Sequence, residues 1–289
     1  MLSLHTNAAA LSAQNSITRT QNSLSTSMTR LSTGYRINSA MDDAAGLQIA
    51  TRLKTQTSGM SVAMRNTQNS ISLMQTAEGA LDETTNILNR MKDLATQAAD
   101  GSSTAADQTA MQKEFNTLSD ELSNIFSNTK FGGTSLFNSA GGKLTTALTF
   151  QIGADSSETM TGDFTTELTQ VGTDIVAAAT GFVTTGTGAA AGTELTATAN
   201  ATIGTLTTAI DSVGALRSKL GAVSNRLDHV YNNLSNISTN TKNASGRIMD
   251  VDFASESATM TSSQMLLQAG TAMLKQTNSQ SSLVLSLLQ

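Results

Sequence analysis

Proline is missing from all 289 residues, and so are cysteine and tryptophan. Each absence excludes something. A chain without Pro has no obligatory helix breaker, so very long helices are permitted; average usage is about 5%. A chain without Cys has no disulfide, no thiolate nucleophile and no Cys-based metal site. Aromatic residues make up 3% and charged residues 13% of the chain, against roughly 25% charged in ordinary domains. The net charge is −5, the pI is about 5.0 and no basic patch is present, which argues against nucleic-acid binding. No run approaches the roughly 18 apolar residues that a membrane span needs, so no membrane insertion is expected. The opening Met1–Asn7 has neither a basic nor an apolar region and does not read as a cleavable secretory signal.

Sites for chemistry are equally scarce. The two histidines, His5 and His229, form no His-x-x-x-His or His-Glu-x-x-His spacing, so a zinc site is not expected. No Gly-x-Ser-x-Gly elbow supports a Ser-His-Asp triad, and no phosphate-binding loop is present. Asp42-Asp43 is an adjacent acidic pair ahead of a helical pattern. Ser39-Ala40-Met41-Asp42 resembles a capping box, which places both acids at a helix start near Ala44. The chain reads as no enzyme, and no cofactor is expected.

What is there is helical periodicity. Leu206, Val213, Leu220, Leu227 and Leu234 recur every seven residues, with Ala209, Leu216, Val223, Val230 and Ile237 offset by three. An a/d heptad held this long predicts a coiled coil. Leu53, Met60, Thr67, Met74, Leu81, Leu88 and Ala95 form a second seven-residue stripe, the natural partner. A helix over about 44–99 would be roughly 80 Å long. Met111, Phe115, Leu118, Leu122 and Ile125 form a third stripe after the turn at Asp100-Gly101-Ser102-Ser103. His229 falls on an outward heptad position, so it is expected to be solvated.

Thin apolar seams mark both ends. One is Leu4, Leu11, Ile17, Leu24, Met28 and Leu31; the other is Phe253, Met260, Leu267 and Leu274, then Leu283, Val284, Leu287 and Leu288. Helices with so little apolar surface are marginal alone, so the ends are expected to order only on assembly with other copies. In the middle, Lys143–Gly153 alternates apolar and polar residues and predicts a strand or hairpin. Residues 155–200, rich in Thr, Ala and Gly, show no period and read as a small surface insertion or flexible loop. The fold class expected is mainly α: long antiparallel coiled-coil helices from both chain ends, a small β-hairpin region and a short central insertion.

Two motifs carry a resemblance. The first runs Arg30-Leu31-Ser32-Thr33-Gly34-Tyr35-Arg36-Ile37-Asn38-Ser39-Ala40-Met41-Asp42-Asp43-Ala44-Ala45-Gly46-Leu47-Gln48-Ile49-Ala50. The second runs Ser245-Gly246-Arg247-Ile248-Met249-Asp250-Val251-Asp252-Phe253-Ala254-Ser255-Glu256, followed by Gln268-Ala269-Gly270 and the ending Val284–Leu288. With the stretches around them, about 1–153 and 203–289, they closely resemble bacterial flagellin. The opening seven residues resemble the lateral type.

The resemblance implies an inner domain of paired terminal helices, 1–43 with 250–289, and a rod-like outer domain, 44–175 with 196–249. A short variable insertion would occupy 176–195. It implies a secreted, extracellular homo-polymer, the filament used for motility, exported unfolded and assembled at its tip. Its partners would be an export chaperone, a cap protein and hook-associated proteins. The terminal leucines resemble the part of the family sensed by cytosolic inflammasome receptors. Arg90, Leu94 and Glu114 match the family's contact motif for a host innate-immune toll-like receptor, with departures at Asn89, Met91, Lys92 and Asp93. A hook–filament junction protein shares the terminal pattern and is the alternative. Flagellin-borne proteases carry His-Glu-x-x-His in the insertion, and 155–200 holds no His.

Overall fold

A computed structural model describes residues 7–184 and 192–287, with 280–287 as backbone only. Seven α-helices are described: α1 (Ala8–Thr33), α2 (Ala44–Ala98), α3 (Ala105–Asn128), α4 (Thr165–Ala178), α5 (Glu194–Ala197), α6 (Ala199–Met249) and α7 (Phe253–Leu287). Two antiparallel strand pairs lie between α3 and α4, β1 (Lys130–Phe131) with β2 (Thr134–Ser135) and β3 (Leu148–Gln151) with β4 (Thr159–Gly162). The chain divides into two compact units, residues 1–57 with 239–289 and residues 58–238, so both divisions fall inside helices, α2 and α6.

The second unit contains the large core. The two heptad stripes meet there in antiparallel sense, Met60 and Ala63 packing with Leu234 while Glu78 pairs with Arg217. Met74, Leu81, Leu88, Leu206, Val213, Leu220 and Leu227 are buried in one continuous cluster. Arg217 fixes the register. Its Nε lies 2.9 Å from Glu78 Oε1, its Nη2 2.9 Å from Asp82 Oδ1, and its Nη1 3.4 Å from Thr85 Oγ1. Positions 78, 82 and 85 are one face of a helix, so a single guanidinium spans two turns of α2. Hydrogen bonding to Glu78 holds the Arg217 pKa above its ordinary value.

Where α6 nears the end of this unit the seven-residue repeat departs from the buried face. Ile237 is 39% exposed while its neighbour Ser238 is 4% exposed. A straight α-helix drifts about 20° per heptad relative to a strict 3.5-residue repeat; after Leu234 the inward position is four residues on, not three. Ile237 is therefore not part of the seam. Leu53, expected in the same core, is half buried and belongs to the first unit.

α3 returns along α2 after a turn closed by a capping box. Thr104 Oγ1 accepts from the Asp107 N–H and Asp107 Oδ2 accepts from the Thr104 N–H. Bonds from the Thr104 hydroxyl and N–H hold the Asp107 carboxyl below its usual pKa. Phe115, Leu122 and Phe126 of α3 are buried in the core.

The stretch 143–200 corrects the sequence reading in two ways. Lys143–Thr145 is a short 3-10 turn, and the hairpin is shifted to β3 and β4, with Phe150 opposite Met160. The segment read as lacking a period contains α4, whose Leu168, Val171, Ile175 and Ala178 are buried at steps of three and four. These four positions define an amphipathic helix that Thr169, Gly172 and Thr173 obscure in composition. Lys219 Nζ reaches both oxygens of Glu167 at 2.7 Å, tying α4 to α6. After α4, Phe182 packs edge-on against Phe126, ring centroids 5.3 Å apart.

Glu194 closes the far side. It is 8% exposed, and its Oε1 accepts from the N–H and hydroxyl of Thr180, its Oε2 from Gln112 Nε2 at 2.8 Å. Gln112 Oε1 in turn accepts from the Leu195 N–H at 2.6 Å. Both ends of the expected insertion 176–195 are thus built into the core; residues 185–191 lie outside the described residues. Burial pushes the Glu194 carboxyl up, but the bonds from Thr180 and Gln112 outweigh it and hold the pKa below the ordinary value.

Two outcomes follow for this unit. Leu227→Ala should cost about 2–5 kcal/mol in urea unfolding, and Ile237→Ala should stay within about 1 kcal/mol; equal losses would mean an unbroken heptad. A carboxyl whose folded pKa is depressed stabilises above its unfolded pKa, about 4.3 for Glu, and loses that contribution as pH falls through the lower folded value. The stability difference between wild type and Glu194→Gln should hold from pH 7 to about 4.5 and shrink below it. A gap that widens in acid would contradict the geometry.

Candidate self-assembly surface

The first unit is built around α1 and α7. α1 starts at Asn7, whose Oδ1 accepts from the Ala10 N–H, and stops at Gly34, where φ is +76° and the N–H donates to Arg30 O. α7 runs antiparallel to it. Buried Ser27 donates its hydroxyl to Glu256 Oε1 at 2.6 Å, and Arg30 Nη1 lies 3.7 Å from Glu256 Oε2. Ten residues earlier in α1 the partner is further along α7: a Cβ on Gly270 would lie 2.9 Å from Ile17 Cγ1. The helices approach closely there because residue 270 has no side chain.

The two motifs that carry the family resemblance meet in this unit. Tyr35 bridges Asp250; the Arg36 N–H donates to Met249 O at 2.6 Å and the Val251 N–H to Gly34 O at 3.0 Å. Arg36 Nη2 reaches Ile248 O at 3.1 Å. The acidic pair divides its work differently from the capping box expected. Asp43 caps α2, its Oδ1 accepting from the Gly46 N–H at 2.8 Å. Asp42 closes the preceding loop by accepting from the N–H groups of Asn38 and Ser39 and from the Ser39 hydroxyl. Those backbone donors, with Arg30 nearby, hold its pKa below the ordinary carboxylate range. Gly46 sits over Ile37, whose Cδ1 would be 2.8 Å from any Cβ there.

This unit has almost no apolar core. Its buried residues, among those described, are Ser27, Ile37, Gly46, Ala50, Thr241 and Ser263; only Ile37 is a large hydrophobe. Of the expected seam, Ile17, Leu24, Leu31, Met260, Leu267 and Leu274 are half buried, and Leu11 and Phe253 are exposed. Leu4 and Leu288 lie outside the described residues, as do the side chains of Leu283 and Leu287. α7 also carries a second apolar face that the sequence reading missed. Met265, Leu266 and Met273 are 61%, 59% and 66% exposed. At 100° per residue they fall, with Ala269, within about 100° of arc, to one side of the line Met260–Ser263–Leu267–Gly270–Leu274 that faces α1. The signal was present as an i, i+1, i+4, i+8 pattern beside the seam.

In the second unit, Arg90 and Glu114 form an exposed pair between α2 and α3, Nη2 to Oε1 at 2.6 Å. Leu94 does not join them at the surface. It is 2% exposed and packs in the core. His229 is exposed. No cluster of three or more metal-ligating side chains occurs among the described residues, and no described helix is long and apolar enough to cross a membrane.

Comparison with known proteins agrees with this layout. Residues 4–141 match the family model described as the bacterial flagellin N-terminal helical region, and residues 203–288 match the bacterial flagellin C-terminal helical region. Polar flagellin F of Vibrio parahaemolyticus is 53% identical over 157 residues, covering 54% of this chain and 41% of that protein. Flagellin C of Vibrio cholerae is 51% identical over the same share of each. The match thus spans well under half the length of these relatives. A flagellar hook-associated protein from Vibrio parahaemolyticus superposes with a TM-score of 0.54 at 16% identity, over 72% of this chain and 100% of that one, a likeness of fold alone. The two family matches include both motifs that meet between Gly34 and Val251, and the chain belongs to the bacterial flagellin family.

Proposed function

We propose that this chain is the structural subunit of an extracellular flagellar filament and assembles with copies of itself through α1 and α7. The observation that carries the proposal is the contrast between the two units. One buries a full core within the chain; the other leaves its apolar seams half covered and the Met265–Met273 face open. Burial of such surface is worth roughly 25 cal/mol per Å², and in this reading neighbouring subunits provide it. The inner, assembling part is taken as 1–43 with 250–289, the rod as 44–175 with 196–249, and 176–195 as the site of family variation. Catalysis has no part in the reading.

Export in an unfolded state suits the composition. No disulfide must be reduced, and no prolyl isomerisation, slow at tens of seconds, delays folding at the tip. An export chaperone, a cap protein and hook-associated proteins are the partners this route requires. Recognition by an innate-immune receptor is assigned to Arg90, Leu94 and Glu114, of which Arg90 and Glu114 form the exposed pair. The pair itself contributes only about 0–1 kcal/mol to the fold, so a partner can rearrange it at little cost.

The test is electron microscopy of protein dissociated and reseeded at neutral pH. Long uniform filaments are expected, and deletion of 1–33 or 254–289 should abolish them while circular dichroism keeps the helical signal of 58–238. Persistent monomers, or short caps on supplied ends, would instead support the junction protein. Gly270→Val should disturb the α1–α7 approach at Ile17. It should raise the concentration needed for polymerisation and speed proteolysis of the termini, with the thermal transition of 58–238 unmoved; unchanged polymerisation would count against the α1–α7 pair as the assembling element.

A further inference from the structure

The methionines of this chain range from buried to fully exposed. Met60, Met74 and Met91 are buried in the core of the second unit. Met265 and Met273 stand 61% and 66% exposed on the second face of α7, flanking Leu266 and Ala269. A thioether there has the size and polarity of a core side chain and the accessibility of a surface one. Leucine would fill the same positions with similar volume and no redox chemistry.

We infer that Met265 and Met273 form an oxidation-sensitive modification site that gates subunit assembly, with hydroperoxides as the oxidant class. The inference rests on the filament reading above. The sulfur lone pair attacks the terminal oxygen of ROOH. The O–O bond breaks, an S–O bond forms, and the alkoxide takes up the released proton to leave as ROH. Sulfur loses two electrons and the peroxide gains them. A dithiol-driven reductase reverses the step, giving thioether, water and a disulfide on the reductant.

The physical consequence is selective. The sulfoxide turns a flexible apolar side chain into a strongly polar one. On the free subunit the new oxygen is solvated, and the fold is unaffected because neither side chain is part of a buried core. On assembly the same oxygen must be desolvated against an apolar neighbour, so each sulfoxide is expected to weaken association about tenfold or more. The effect is also asymmetric in time. A subunit oxidised before assembly is excluded, whereas one already in the filament has these sulfurs covered and reacts slowly. Met60, Met74 and Met91, shielded in either state, serve as internal references.

The experiment compares untreated and hydrogen-peroxide-treated monomer, with the sulfoxides at each position read by peptide mass spectrometry. The critical concentration for seeded polymerisation should rise about a hundredfold when both positions are oxidised, with the circular dichroism melt unchanged. Met28 and Met41 are exposed as well, so the Met265→Leu/Met273→Leu variant isolates the α7 face. Treatment should raise its critical concentration far less than that of wild type, the remainder belonging to Met28, Met41 and Met260. The single variants Met265→Leu and Met273→Leu, each retaining one thioether, should lose about half the effect on a logarithmic scale. Reductase treatment of oxidised wild type should restore assembly as the two thioethers return. Wild type that assembles normally with both positions oxidised would overturn the inference, as would a double variant as sensitive as wild type. Failure of the untreated protein to polymerise would remove the filament reading itself.

Discussion

The antiparallel pairing of α2 with α6 is the constraint on which the rest of the second unit depends. Met60 packs with Leu234, and Glu78 meets Arg217 across 139 residues of chain. Closing a loop of that length adds little to the equilibrium cost, which grows only with the logarithm of length, but it makes folding wait for distant contacts. Everything between is then local: α3 folds back on α2 through a capped turn, the small hairpins follow, and α4 closes against α6 through Glu167 and Lys219. The polar contacts select register more than they stabilise. Arg217 is part-exposed, so its net contribution is modest, yet a slide of one residue would break its bonds to positions 78, 82 and 85 together.

The long seams were legible because a seven-residue apolar repeat survives in almost any surrounding composition. The reading failed where the ideal repeat of the helix takes over, at Ile237, since periodicity in sequence cannot say how far a straight helix has drifted. It failed again at α4. Leu168, Val171, Ile175 and Ala178 have helical spacing, but Thr and Gly between them lower the contrast, and the side chains that complete their core, Phe126 and Phe182, are distant in sequence or isolated. The capping of α2 was placed one motif too early. Both Ser39 and Asp43 precede the helix as possible caps, and only the backbone decides which oxygen reaches the third N–H.

The proposed assembly surface was half legible. The seams of α1 and α7 could be read as stripes, and their thinness gave the expectation that they need partners. The Ser27–Glu256 hydrogen bond and the close approach at Gly270 could not be read, because they exist only once the register of two helices from opposite chain ends is known. The Met265–Met273 face was overlooked for a different reason. Two apolar arcs on one helix blur into a broad pattern, and α7 then reads as weakly amphipathic when it is amphipathic twice.

Magnitudes decide what kind of association such a surface supports. Full burial of a Met or Leu side chain is worth about 1.5–3 kcal/mol, so Met265, Leu266 and Met273 together supply roughly 5–9 kcal/mol at best. Bringing two subunits together costs an estimated 4–15 kcal/mol in lost translational and rotational freedom. One such contact therefore leaves an isolated dimer near balance. A subunit that docks several faces at once loses that freedom only once, so each additional face adds nearly its whole burial term. On the proposed reading this favours growth at an existing end over new nuclei. It also agrees with a low charge density: with 13% charged residues and a net charge of −5, copies repel one another weakly. The Ser, Thr and Gln between the apolar positions then limit indiscriminate sticking, because only a partner in register can cover the seam without stranding those polar groups.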